Sequence, residues 1–350
     1  MVPKAPLRAF LRPRRPRRTR PRLEGLAGLS SQAAYATASA AEATQQLLDA
    51  FRSTTIVRQQ VLDANQLQKL ALTLGQRQLS GVDVAEAPPP AGTPVPPGWH
   101  LVYFTPNGVE SELGTDGTDR TFNSPAPFTR RMWAGGLMTW PTAGGAELRV
   151  GDEVTEHTRL VSAMAKRSRN GDEMVLVEVE KEFQGPRGLG LTDRRSWIFR
   201  PEIVPGTAPA PKPLQDVTYG HSIFEECTHE RGFPSHRLRW SPAGLFRFSA
   251  LTFNAHMIHY NEHWTKHVEG HPAEVVHGPL NLINILNYWR DVHGNAASPH
   301  TINYRALSPL YAGQTYEIKT AGVADAQGGK GWTVTAEKNG VVCMKAEIHK

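Results

Sequence analysis

The sequence predicts an α+β fold in which a buried helix is wrapped by a curled antiparallel sheet, with the unit present twice. Three observations carry this. Residues 278–294, GPLNLINILNYWRDVHG, start and stop with Gly, and Leu280, Leu282, Ile283, Ile285, Leu286, Tyr288 and Trp289 leave almost no polar face. A helix apolar nearly all round must be buried on most sides. Residues 331–350, GWTVTAEKNGVVCMKAEIHK, set Asn339-Gly340 between two strand-like runs, the strongest short hairpin signal. Finally, LRVGDEVTEHTRLV and LYAGQTYEIKTAGV, 162 positions apart, share L-x-x-G followed by a strand-like run.

Taken in order, the chain opens with a basic leader. Residues 1–22 hold Lys4 and eight arginines and no acid, and Glu24 is the only acid before position 41. Arg-rich, Ser- and Ala-rich and acid-poor, residues 1–40 read as a disordered mitochondrial transit peptide. A nucleic-acid-binding arm is the rival reading. Residues 41–205 form the first, degenerate copy. In it VLDANQLQKLALTLG (61–75) predicts a helix with Leu62, Leu67, Leu70 and Leu74 on one face, and APPPAGTPVPPG (87–98) predicts a long loop. EMVLVEVEKEF (173–183) alternates Val175, Val177 and Val179 with Glu178 and Glu180, and RRSWIFRPEI (194–203) closes the half. A Pro-rich linker is assigned to 206–216. The second copy is 217–350. In its last strand Val342, Met344, Ala346 and Ile348 are expected to face one way, and Cys343, Lys345 and Glu347 the other.

The net charge of +6 belongs to the leader. Removing residues 1–40, with nine basic residues and one acid, leaves 30 Lys+Arg against 32 Asp+Glu. A near-neutral body gives a nucleic-acid partner little support. No run of eighteen apolar residues occurs, so no transmembrane helix is expected. Cys227 and Cys343 have no metal or redox spacing, which fits a reducing interior.

FNAHMIHYNEHWTKH (253–267) concentrates four of the fourteen histidines. Spacing His259, His263 and His267 at i, i+4, i+8 would stack them on a helix, but zinc sites usually recruit a third or fourth ligand from elsewhere and no H-E-x-x-H pattern occurs, so no metal is expected. His263 and His267 read as polar surface, and Trp264 as core or interface. Asn254 and His259 differ, because they follow LFRFSALTFN (245–254) and precede HGPL (277–280) at the start of the buried helix. A polar loop and a helix N-terminus thus bracket one pocket. Helix N-terminal N–H groups can hold an oxyanion, and a neutral imidazole can move a proton near neutral pH. Those parts suffice for proton chemistry alpha to a carbonyl.

The span FSALTFNAHMIHY with VVHGPL resembles the C-terminal hot-dog domain of the MaoC-like hydratases and dehydratases, closest to the fungal mitochondrial hydroxyacyl-thioester dehydratase type 2 branch. RRMWAGG (130–136) and PPGWHLVYF (96–104) extend the resemblance over most of 55–350. The resemblance implies a double hot dog, two buried helices each wrapped by a curved antiparallel sheet. It implies a hydro-lyase that removes water from (3R)-3-hydroxyacyl thioesters, needs no cofactor, and works in mitochondrial fatty acid synthesis in the matrix. Its partner is an acyl thioester on acyl carrier protein or CoA, and the chain is a monomer or homodimer. The family's loop carries Asp, then Asn two positions on, then His five positions on. Here these positions hold Asn254, His256 and His259. Since an amide cannot accept a proton, His259 takes the proton transfer and Asn254 orients the water. Gly278 is the oxyanion donor, and His277, Pro279, Phe253, Trp133 and Arg131 are expected at the substrate. RRMWAGG reveals no chemical job by itself.

Two rivals remain. A mesaconyl-CoA or itaconyl-CoA type hydratase needs a cation for a second carboxylate. A non-catalytic acyl-binding hot-dog protein would keep the pocket without turnover.

Overall fold

The computed structural model describes residues 38–350 apart from 142–145, 204–205, 209, 230–231, 296 and 327–328. Up to position 37 the expected leader lies outside the described residues. Its last residues belong to the body. Ser39 caps α1 (Ala40–Phe51), its hydroxyl accepting from Glu42 N–H while the Glu42 carboxylate accepts from Ser39 N–H, and Ala40 is buried.

The first half continues with β1 (Thr55–Val61), α2 (Ala64–Thr73) and a small ribbon, β2 (Gln78–Leu79) with β3 (Val82–Asp83). An irregular stretch follows, as the prolines require, with a 3-10 turn at Trp99–Val102. Four long strands close the half: β4 (Arg130–Thr139), β5 (Glu153–Arg167), β6 (Glu173–Gly185) and β7 (Gly188–Arg200). The second half holds β8 (Ile223–Cys227), β9 (Ser235–Arg239), α3 (Pro242–Leu251), α4 (Glu262–His267) and α5 (Gly278–Trp289). It ends in β10 (Thr301–Ala306), β11 (Thr315–Ala326), β12 (Gly329–Lys338) and β13 (Val341–His349).

One antiparallel sheet of eleven strands joins the halves, in the order β1-β5-β6-β7-β4-β10-β13-β12-β11-β9-β8. Apart from the edge strand β8, the order is palindromic: β1, β5, β6, β7 and β4 correspond to β9, β11, β12, β13 and β10. The L-x-x-G echo falls at equivalent places. Gly151 and Gly313 have φ of +89° and +79° and precede β5 and β11. Their N–H groups donate to the carbonyls of Leu62 and Trp240, the residues that immediately follow β1 and β9. This is the double hot dog expected from the sequence.

Helix α5 is the centre of the second half, with ten of its twelve residues buried. Its buried amides are paired, as interior polar groups must be: Asn287 Oδ1 accepts from Trp99 Nε1 at 2.9 Å and Asn281 Oδ1 from the Tyr316 hydroxyl at 3.0 Å. In the first half the 3-10 turn Trp99–Val102 sits against α5, and Gly98 ahead of it is pressed so close that a Cβ would lie 2.7 Å from Leu286. The wrapped helix is therefore full length only in the second half. Helices α2 and α3 are the other matched pair, capped by Asp63 and Ser241 and lying against each other. Leu62, Leu67, Leu70 and Leu74 are all buried.

Strand β6 buries Val175, Val177 and Val179 as the alternation predicts. Strand β13 buries Met344, Ala346 and Ile348, but Cys343, expected to face outward, is buried as well. The register shifts there, with Ala336 opposite Met344 and Glu337 opposite Val342. Cys343 is the extra residue of a β-bulge, which re-aims a side chain. Among the described residues no helix is long and apolar enough to cross a membrane.

Candidate active site

The site grows from the C-terminus of α3. Asn254 N–H donates to Ser249 O and Phe253 N–H to Ala250 O, the pattern that ends a helix through one left-handed residue. That residue is Phe253, with φ +48°, where glycine is usual. The turn throws the following loop across the sheet. Asn254 Oδ1 accepts from His256 N–H at 3.1 Å, and Met257–His259 form a 3-10 turn.

His259 is buried and its ring is fixed from two sides. Nδ1 lies 2.7 Å from Val275 O. A carbonyl only accepts, so Nδ1 carries the proton and Nε2 keeps its lone pair. The ring stacks on His277 with centroids 3.6 Å apart, and His277 Nε2 lies 2.9 Å from Ser249 Oγ. Burial pushes His259 down to about 4, against the hydrogen bond to Val275. His277 is held well below the usual imidazole range, by burial and then by His259. Both rings are neutral at physiological pH.

His277 is also the N-cap of α5, and it gives no side-chain cap. Among the described residues, the other four α-helices are capped by Ser39, Asp63, Ser241 and Asn261. First-turn N–H groups have no intrahelical acceptor, so Gly278 N–H is available to a ligand, with the positive end of the helix dipole behind it. A Cβ on Gly278 would lie 3.0–3.1 Å from the Trp133 side chain, so glycine is what lets β4 close over the helix start.

A cavity of ≈ 1130 Å³ opens here. His259, Asn254, Gly278, His277, Pro279, Phe253, Trp133 and Arg131 all line it. His263 and His267 are exposed and do not line it. The first half supplies the opposite wall, and this gives RRMWAGG a place. Ala134 is the extra residue of a bulge between β4 and β7. Ahead of it, Arg130 Nε lies 3.8 Å from Glu269, Arg131 lies over the Trp197 ring and 3.9 Å from Asp119, and Trp133 stacks on Tyr304. Deeper in, Lys181 pairs with Glu156 at 2.9 Å and Arg195 with Asp193 at 2.6 Å, and His100 Nε2 lies 3.2 Å from Asp193. Burial, then Arg195, lower the Lys181 ammonium to about 8. Burial would raise the Asp193 carboxyl, but Arg195 and His100 outweigh it and hold it well below its usual value.

Three further residues meet at the cavity edge without having been singled out as site residues from sequence. Asp116, His256 and Glu269 bring their polar atoms within 4.8 Å of one another. Such a trio can receive a cation, but the Arg130 guanidinium beside Glu269 competes for it. Asp116 and Glu269 lie about 140 and 13 positions from His256, and neither sits in a motif that points to it.

The fold and this arrangement define a class: double hot-dog proteins with one polar loop facing one helix N-terminus. Among solved structures, a MaoC-like dehydratase aligns at a TM-score of 0.59 and 16% identity, over 84% of this chain and 96% of its own, a likeness of fold. The family model for hydroxyacyl-thioester dehydratase type 2 matches residues 98–312. The mesaconyl-C(4)-CoA hydratase of Chloroflexus aurantiacus is 32% identical over 225 residues, 64% of this chain and 73% of that protein. The mitochondrial hydroxyacyl-thioester dehydratase type 2 of Schizosaccharomyces pombe is 27% identical over 251 residues, 65% of this chain and 77% of that protein. The chain belongs to the hydroxyacyl-thioester dehydratase type 2 family, within the MaoC-like hydratases, and is a hydro-lyase.

Proposed function

We propose that the protein interconverts (3R)-3-hydroxyacyl and trans-2-enoyl thioesters in mitochondrial fatty acid synthesis, on acyl carrier protein or CoA. The observation that carries this is the uncapped start of α5 opening into the same cavity as a buried, neutral His259. In the hydration direction the oxygen of water bonds C3, and its proton passes to His259 Nε2. The C2=C3 electron pair moves toward the thioester oxygen, which accepts a hydrogen bond from Gly278 N–H. The enolate then takes the proton from the imidazolium onto C2, on the same face. Asn254, its Oδ1 engaged by His256 N–H, offers its NH₂ group to the water. Losing one oxyanion donor costs about 3 kcal/mol in comparable sites. Phe253, Pro279, Trp133, His277 and Arg131 form the substrate wall. The acid-poor basic leader supports the matrix as location, and the fission-yeast relative is described as mitochondrial.

The test is hydration of crotonyl-CoA, followed by loss of the enoyl-thioester absorbance. The parent protein turns over and His259→Ala does not. Near-parent turnover in the variant would remove His259 from the mechanism, and an inactive parent across enoyl-CoAs and enoyl-acyl carrier proteins would leave an acyl-binding protein. The same series sorts chain length and carrier.

A second reading has one observation in its favour. Arg131, Lys181 and Arg195 line the inner wall beside Trp133, where a cation could meet the second carboxylate of a substrate like that named for the Chloroflexus relative. A higher kcat/KM on mesaconyl-CoA than on crotonyl-CoA, abolished by Arg131→Gln, would select it.

A further inference from the structure

We propose that Asp116 of the first half and His256 of the catalytic loop form a carboxylate–imidazole dyad that completes the proton-transfer machinery around His259. It supplies the carboxylate that position 254 lacks. The inference rests on the hydratase reading above and goes beyond it, since it assigns two residues, one from each half, to a single function.

Placement comes first. His256 lines the cavity, is 6% exposed, and its ring centroid lies 5.3 Å from that of His259. Its Nε2 is buried with no hydrogen-bond partner among the described residues, and it lies 3.5 Å from Asp116 Oδ2. A buried polar atom left this way is costly, and a carboxylate one small movement away is the natural acceptor. Asp116 is 8% exposed and does not line the cavity. Its Oδ1 is held by Thr118, from N–H at 2.9 Å and from the hydroxyl at 2.6 Å, which leaves Oδ2 to His256.

The two loops are locked by their backbones. Met257 N–H donates to Asp116 O at 2.8 Å. Gly117, with φ +80°, is pressed against Ala255 so closely that a Cβ would collide with the Ala255 carbonyl. Nothing larger than glycine lets this first-half loop reach the catalytic loop, and the contact delivers the Asp116 carboxylate to the His256 ring.

The chemistry follows from the surroundings. Facing His256 are His259, His271, Arg131 and Arg130 on the cationic or cation-forming side, and Asp116 and Glu269 on the other. Burial, then His259 and Arg131, disfavour a charge on His256. When the proton of water moves onto His259, a buried positive charge appears beside the His256 ring, 5.3 Å away between centroids, and near guanidinium groups. The Asp116 carboxylate offsets it and fixes Nε2–H toward itself, leaving His256 Nδ1 to accept from the water, the role a buried Asp plays behind a catalytic His. One proton leaves water, rests on His259 while the enolate exists, and goes to C2, so the site returns unchanged. Asp116 acts through His256 and is a positioning residue.

Asp116→Asn keeps an acceptor for Thr118 and removes the charge. Its kcat on crotonyl-CoA should fall about 10- to 100-fold, the usual cost of losing an outer partner of a reacting group, with KM and Tm unchanged. His256→Asn should fall similarly, and the double variant no further. The decisive variant is Asn254→Asp with His256→Asn, which puts the carboxylate back on the loop. In that background Asp116→Asn should change kcat less than about threefold, an indifference that a merely structural Asp116 would not gain. NMR titration of the His256 ring supplies a readout free of turnover: Asp116→Asn should lower its pKa. Parent-like kcat in Asp116→Asn, additive losses in the double variant, or an unchanged His256 titration would overturn the dyad. If the parent protein itself is inactive on every enoyl thioester, the hydratase reading falls, and the titration still decides whether Asp116 and His256 are coupled.

Discussion

Edge strand β8 and the β2–β3 ribbon aside, the two halves match strand for strand, and they differ most around the candidate active site. Helices α2 and α3 end by the same hydrogen-bond pattern. Gln76 N–H reaches Ala71 O through Gly75, as Asn254 N–H reaches Ser249 O through Phe253. In the first half the left-handed residue is glycine and the chain leads into a two-stranded ribbon. In the second it is Phe253, and the chain leads into the histidine loop. Where the second half grows the twelve-residue α5, the first keeps one 3-10 turn whose Trp99 packs on it. The second half buries an apolar helix, while the inner face of the first buries Glu156 and Asp193, each paired with a half-buried cation, Lys181 and Arg195. The comparison teaches that one copy of the fold retained the loop and the helix N-terminus, and the other became their opposite wall.

The contrast can be broken from either side. The largest effect is expected for His259→Ala, which should lower kcat roughly 100- to 10,000-fold while the protein remains folded. A lesion in the charged wall should do the reverse. Asp193→Ala leaves Arg195 without its 2.6 Å partner, and breaking a buried pair costs about 3–5 kcal/mol. Denaturant unfolding reads this loss, and a change under 1 kcal/mol would mean that the wall is not a structural unit.

Acid should then expose both halves at once. His259 has a folded-state pKa of about 4 against about 6.5 unfolded. A depressed pKa means the unfolded chain binds the proton first. Its contribution, roughly 3 kcal/mol, is complete above pH 6.5 and is lost as the pH falls toward 4. Asp193, depressed from a lower starting value, gives way only below that range. Stability against pH should therefore fall in two stages, and because burial also holds His256 and His277 low, His259→Phe should shrink the upper stage without removing it. The acid limb of kcat/KM should lie near pH 4 to 5.

Smaller effects sharpen the picture. Gly278→Ala presses a methyl group on Trp133 and should lower kcat about tenfold, near 1.4 kcal/mol; Trp133→Leu in the same chain should recover part of it. Phe253→Gly removes a left-handed non-glycine residue, worth about 1–2 kcal/mol, at a backbone entropy cost of about 0.5–1 kcal/mol. Its stability should rise by 1 kcal/mol or less while KM increases, because the ring lines the cavity. An unchanged KM would make Phe253 a packing residue only.

Much of the second half was legible in the sequence because its signals are local. The all-apolar run marks α5, Asn339-Gly340 marks the β12–β13 turn, and HGPL marks the helix start. The first half was legible as strands and α2, but the replacement of its central helix by one 3-10 turn was not. That turn is short, and its buried residues are explained by tertiary partners, Asn287 of α5 for Trp99 and Asp193 for His100. The inward turn of Cys343 was hidden for a similar reason, since a bulge is a property of two strands together. Asp116 and Glu269 carry no motif and become neighbours of His256 only through tertiary contacts. RRMWAGG was visible as a pattern, yet its purpose lies in what β4 touches.

That purpose has one more implication. Gly135 and Gly136 lie where β4 meets β10 and β7, and a Cβ on them would strike the carbonyl oxygens of Tyr304 and Arg194. A bare stretch of main chain therefore indexes one half of the fold against the other. Sliding that joint by one residue would turn Arg131 and Trp133 away from the substrate chamber, and sliding by two would carry them past Gly278. The paired glycines act as a notch in a ruler, and the two unequal halves enclose the cavity between Trp133 and Gly278 because that notch admits one alignment.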